Sequence, residues 1–101
     1  MNTRQRTRPP TRPGEILREE FLSPLRLTQK QLANHLGCDI KVINRIVNGA
    51  RVSVPMARRF AAAFGTTPEF WLTLQMEVDL YEEQQKSASL PGPIAAEVGS
   101  A

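Results

Sequence analysis

Cysteine, histidine, tryptophan and tyrosine occur once each in this 101-residue chain, and that scarcity excludes several kinds of chemistry. Cys38 has no second thiol for an internal disulfide, and a lone His35 one helical turn away cannot complete a thiolate and imidazole metal site, so no metal and no cofactor is expected. His35 and Cys38 read as a surface histidine and a small half-buried thiol. No nucleophile or carboxylate pair stands near the polar groups of residues 40–48, so the chain is expected not to be an enzyme. No apolar run approaches the ~18 residues of a membrane span. The arginine-bearing start, MNTRQRTRPPTRPG, lacks the apolar stretch of a secretory signal. The expectation is a cytoplasmic protein with no membrane partner.

Acid is scarce where base is dense. Residues 24–60 carry seven Lys or Arg against Asp39 alone, and residues 1–13 carry four arginines and no acid. Residues 14–23 have a net charge of −2 and residues 61–101 of −5, leaving +3 for the whole chain. A basic block of this kind attracts a polyanion, for which phosphate backbones are the usual source, while an acidic segment can face a basic protein. The plain alternative for each is a solvated surface.

Strand signals are missing as well, and the length suits a single domain. Residues 1–12 form a basic, proline-bearing arm and residues 87–101 a tail interrupted by Pro91, Gly92 and Pro93. Both are expected to be flexible, because neither holds enough apolar surface to offset ordering. Between them, residues 13–86 divide into five helices. Pro13 and Glu15 suit the start of the first, whose Ile16, Leu17 and Phe21 form an apolar stripe ending before Pro24. Thr28 and Gln31 have capping-box spacing, and Gly37 stops the second. Asp39 opens a third that ends near Asn48 and Gly49. Ser53 and Pro55 open a fourth that Gly65 ends, and Thr66 or Thr67 with Pro68 and Glu69 opens a fifth reaching about Lys86. The predicted fold is all-α, a compact five-helix bundle.

Helices two and three are short and meet at the corner Gly37-Cys38-Asp39, the connection expected of a helix-turn-helix unit. Helix three divides by spacing. Ile43, Ile46 and Val47, with Ile40 at its beginning, fall on one side, and Lys41, Asn44, Arg45 and Asn48 recur at i, i+3, i+4 and i+7 on the other. Lysine and arginine donate to guanine O6 and N7, and asparagine pairs with adenine N6 and N7, so the polar side is chemically equipped for the major groove of double-stranded DNA. A solvated amphipathic helix is the competing reading. The short preceding helix, the glycine corner and the surrounding positive charge favour the groove. Arg51 and the other basic residues beside the motif are expected to hold phosphates.

The segments RPGEILREEFL, LTQKQLANHLG, INRIVNGAR and FGTTPEFWLTLQMEVDL, spread over about residues 12–81, resemble the HigA (VapI-like) antitoxins, which carry a phage-repressor-like (Xre-type) helix-turn-helix domain. The PGEIL and PEFWLxLQ pieces are more specific than the helix-turn-helix pattern itself. The resemblance implies a dimer that represses its own operon by binding operator DNA and that neutralises a HigB-type toxin, an mRNA endonuclease. By position it assigns Gln29 to a phosphate at the start of helix two, and Ile40, Lys41, Asn44 and Arg45 to the groove. With Thr28, Asp39, Asn48 and Arg51 these make up the expected DNA-facing set. Three residues depart from the family's habit. Arg12 stands where histidine is common and Arg26 where glycine is frequent, both read as added charge that leaves the pattern undisturbed. Arg58 replaces a usual apolar residue.

Helix five carries two apolar stripes about 180° apart, Trp71, Leu74, Val78 and Tyr81 on one side and Leu72, Met76 and Leu80 on the other. One is expected to face the core and the other a second copy of the chain in a two-fold dimer, with Leu72, Met76 and Leu80 taken as the interface. The competing reading folds residues 87–101 back over it through Leu90 and Ile94. The acids Glu77, Asp79, Glu82 and Glu83 are read as solvated. Exclusion leaves helix one, around Glu15, Arg18, Glu19 and Leu22, for the toxin. Two other readings stand beside the antitoxin: a stand-alone helix-turn-helix repressor with no toxin partner, and an adaptor that has lost DNA binding.

Overall fold

Four of the helices start at a capping side chain, and two of them end at a glycine. In the computed structural model, which describes residues 8–86 and 89–94, α1 spans Pro13–Ile16 and continues without a break into a π-helical turn, Leu17–Leu22. The remaining helices are α2 (Gln29–Leu36), α3 (Ile40–Val47), α4 (Val54–Phe64) and α5 (Pro68–Lys86), and no strand occurs among the described residues. The Thr28 hydroxyl accepts from the Gln31 N–H at 3.0 Å, and the Gln31 side chain accepts from the Thr28 N–H at 2.9 Å, a complete capping box. Asp39, Ser53 and Thr67 cap α3, α4 and α5 in the same manner, accepting from the N–H groups of Lys41, Met56 and Phe70. Gly37 and Gly65 end α2 and α4 in the left-handed conformation at φ 72° and 71°. Thr66 serves differently: its hydroxyl accepts from the Trp71 indole N–H at 2.8 Å.

The core gathers Leu17, Leu32, Ile43, Ile46, Val52, Met56, Ala57, Phe60 and Trp71. Trp71 and Phe60 are its largest members, with ring centroids 4.9 Å apart, and Phe21 and Phe64 pack around them. Gly14 brings α1 onto the end of α3 more closely than any other residue could, because a Cβ placed there would lie 1.9 Å from the Ile46 carbonyl oxygen.

The π-helical turn corrects one expectation. Its wide period shows in the Ser23 N–H, which donates to the Arg18 oxygen five residues back at 3.0 Å. That wider turn brings Leu22 round to the side of Leu17. An ordinary α-helical period would set the two well apart. Leu22 is 6% exposed and belongs to the core, so it offers no surface to a toxin.

Arg26, in the turn that follows, is the one non-glycine residue with positive φ among the described residues, at 53°. The left-handed turn is kept, with the Arg26 N–H donating to the Ser23 oxygen and the Leu27 N–H to the Leu22 oxygen, so arginine in place of glycine leaves the pattern standing while its side chain is held in backbone space that suits glycine. Of the basic arm, Arg4 and Arg6 lie outside the described residues. Pro10 is buried, and the Arg12 guanidinium pairs with Glu82 on α5 at 2.7 Å, which ties the start of α1 to the far end of the molecule's longest helix.

Candidate nucleic-acid interface

Helix α3 is fixed by its apolar side and by both ends. Ile43 and Ile46 are buried, Asp39 holds its first turn, and the Ala50 N–H donates to the Arg45 oxygen at 2.8 Å, drawing the following loop against its last turn. Lys41, Asn44, Arg45 and Asn48 are then exposed together, with Ile40 exposed at the leading edge. Neither Lys41 nor Arg45 has an ion-pair partner among the described residues, so both cations are available.

The expected contact residues of α2 and α3 are joined directly. The Asn44 amide donates to the Gln29 side-chain oxygen at 3.1 Å, and the Asn48 amide donates to the Asn44 backbone oxygen at 2.9 Å and its side-chain oxygen at 3.3 Å. This network orients Asn44 from both sides while leaving the Gln29 amide N–H groups free of protein acceptors. Thr28 and Asp39 occupy the same edge, but their side-chain oxygens are engaged as helix caps. The Thr28 hydroxyl can still donate its hydrogen outward, whereas the Asp39 carboxylate can only accept.

Arg51, expected to be a phosphate contact, is exposed on the loop between α3 and α4 and already has a partner. Its guanidinium pairs with Asp79 on α5. Asp79 also accepts from the Gln75 amide at 3.0 Å, and the oxygen of the buried Gln75 accepts from the Val52 N–H at 3.0 Å. The Arg51 guanidinium and the Gln75 amide hold the Asp79 carboxyl below the usual aspartate range. The reading of Asp79 and Glu82 as solvating acids is thus corrected: both bind arginines from distant parts of the chain. A polar residue buried in the middle of an apolar stripe, as Gln75 is, was the available signal. Arg58 points to solvent beside Arg59 on α4, and the structure gives it no partner among the described residues.

The two stripes of α5 separate as opposites. Trp71 and Val78 are buried with Gln75, while Met76 and Leu80 are 51% and 54% exposed and Leu72 is half-buried beside them. Val54 at the start of α4 is exposed next to this stripe. Leu90 and Ile94, the tail residues proposed to cover it, are themselves 79% and 75% exposed. On α1 and the π-helical turn that continues it, Glu15 accepts from the Arg12 N–H at 3.0 Å and Arg18 pairs with Glu19 at 3.0 Å, leaving an exposed charged surface. No group of histidine, cysteine, aspartate and glutamate among the described residues could hold a metal ion, and no described helix is long and apolar enough to cross a membrane.

The chain is similar in sequence and fold to known proteins. A family model described as helix-turn-helix matches residues 17–71. The antitoxin HigA-1 of Vibrio cholerae is 40% identical over 82% of this chain and 79% of its own length. An uncharacterised helix-turn-helix-type transcriptional regulator of Haemophilus influenzae is 48% identical over 75% of this chain and 72% of its own. Among solved structures, the Pseudomonas aeruginosa antitoxin HigA, seen with the higBA promoter, superposes with a TM-score of 0.76 at 32% identity, covering 84% of this chain and 99% of that one.

Proposed function

The chain belongs to the helix-turn-helix family and, within it, to the HigA antitoxins, and from that membership we propose that it binds the operator of its own operon as a dimer, represses it, and neutralises a HigB-type toxin. The observation that carries DNA binding is the exposed Lys41, Asn44 and Arg45 set on α3, whose Asn44 is tied to the Gln29 side-chain oxygen of α2. Two such helices in a two-fold dimer, spaced by about 34 Å, meet successive major grooves on one side of an inverted repeat. Gln29, Thr28 and Arg51 serve the phosphates, which fix position without reading sequence. The uncovered Leu72, Met76 and Leu80 stripe supplies the dimer contact, with Val54 at its margin. No enzymatic step is assigned to the chain.

The acidic surface of α1 and its π-helical continuation suits a basic, RNA-cutting toxin by charge. Glu15, Arg18 and Glu19 remain in this role, and the exposed Leu25 takes the apolar part first given to Leu22. Reversing charge at Glu19 and Glu20 is expected to abolish rescue of cells expressing the toxin while operator binding is retained. Full rescue by that variant moves the docking face elsewhere.

A stand-alone repressor is the second reading, in keeping with the Haemophilus influenzae relative, an uncharacterised protein named as a helix-turn-helix-type transcriptional regulator. The neighbouring reading frames separate the two: a short basic protein encoded just upstream supports the antitoxin.

A further inference from the structure

Arg51 lies between two tethers. On one side the Ala50 N–H donates to the Arg45 oxygen of α3. On the other the Val52 N–H donates to buried Gln75 of α5, and Val52 itself is buried. The backbone at Arg51 is therefore fixed at the end of the DNA-facing helix while its side chain stands in solvent, paired with Asp79. Both groups of the pair are exposed, at 68% and 38%, and an ion pair in such surroundings adds little to stability. Asp79 keeps its bond from the Gln75 amide whether or not Arg51 stays, so the guanidinium can leave without stranding a buried charge.

We infer that Asp79 is an internal competitor of the DNA backbone: its carboxylate occupies Arg51 in the free protein and must surrender it when a phosphate arrives. The inference rests on the operator-binding reading and deepens it by naming the residue that sets the strength of one backbone contact. A carboxylate and a phosphodiester each carry one negative charge and accept from the same guanidinium fork, so the exchange is chemically symmetrical. It leaves the Asp79 charge unpaired near a phosphate, which opposes binding. Because backbone contacts carry no sequence information, Asp79 weakens attachment to all DNA alike and leaves base preference to α3.

The test is Asp79→Asn in the full chain, titrated over a range of salt against a duplex carrying the promoter region of its own operon and against a scrambled duplex of equal composition. Asparagine keeps an acceptor for the Gln75 amide and removes the charge. The variant is expected to bind both duplexes more tightly, by up to roughly fivefold, the span of an exposed ion pair's coupling. The salt dependence should steepen by at most about 0.9, the equivalent of one phosphate contact. Arg51→Ala should cancel the gain in the double variant. Asp79→Ala, which removes both charge and acceptor, should shift affinity in the same direction and keeps the test available if the asparagine variant folds poorly. Unchanged or weaker binding by the Asp79 variants overturns the inference alone. Failure of the unaltered chain to bind its promoter region overturns operator binding with it.

Discussion

The Asn44 side chain of α3 donates a hydrogen bond to the Gln29 side chain of α2 at 3.1 Å, so the two helices of the motif present one connected polar edge and not two separate ones. On the proposed reading, removing Gln29 takes away a phosphate contact and the support of a base-reading amide together. Gln29→Ala and Asn44→Ala are expected to be non-additive in operator binding, with a coupling of about 0.5–3 kcal/mol in a double-mutant cycle. Strict additivity would show that the bond has no part in recognition.

Gly14→Ala tests the packing that positions α3. The added methyl would meet the Ile46 carbonyl oxygen, a backbone atom that cannot swing aside, so α1 must lift from α3. A loss of about 1–3 kcal/mol is expected from such overpacking, visible as a drop of several degrees in the melting temperature. Gly92→Ala, where nothing lies within 4 Å, is the matched control and should be neutral.

Arg26 holds a positive φ of 53°, which costs a side-chain-bearing residue roughly 1–2 kcal/mol relative to glycine. Glycine loses more backbone entropy on folding, about 0.5–1 kcal/mol, so Arg26→Gly is expected to stabilise the domain by up to about 1 kcal/mol. Urea denaturation checks this. A destabilised glycine variant would mean that the arginine side chain contributes more than the strain removes.

The Asp79 carboxyl, held below the usual aspartate value of about 3.9 by Arg51 and Gln75, contributes stability that is fully present above that value and is lost as pH falls through the lower folded one. The melting temperature of Asp79→Asn should thus lie below that of the unaltered chain at neutral pH, with the gap closing below about pH 4. A gap independent of pH would remove the charge from this role.

The fold was legible in the sequence because its boundaries are local. Thr28 and Gln31, Asp39, Ser53, Gly37 and Gly65 act on neighbours two to four residues away, and each does what its spacing implies. The polar side of α3 was readable for the same reason. What escaped depends on distance or on a broken period. The π-helical turn moves Leu22 into the core against the ordinary helical repeat, and no local rule marks it. The partners of Asp79 and Glu82 lie 28 and 70 residues earlier in the chain, where charge patterning along one helix cannot find them. Gln75 sits in the buried stripe of α5 because the backbone of a loop needs its oxygen there.

The role of α3 as the reader of base sequence is tested most directly by selecting preferred sites from a random duplex library with the unaltered chain, Asn44→Ala and Arg45→Ala, and measuring each affinity. Each alanine is expected to cost about 1–3 kcal/mol on the preferred site and to relax preference at particular base pairs, symmetrically in the two half-sites. If both variants select the same sequence with undiminished discrimination, helix α3 does not read the operator.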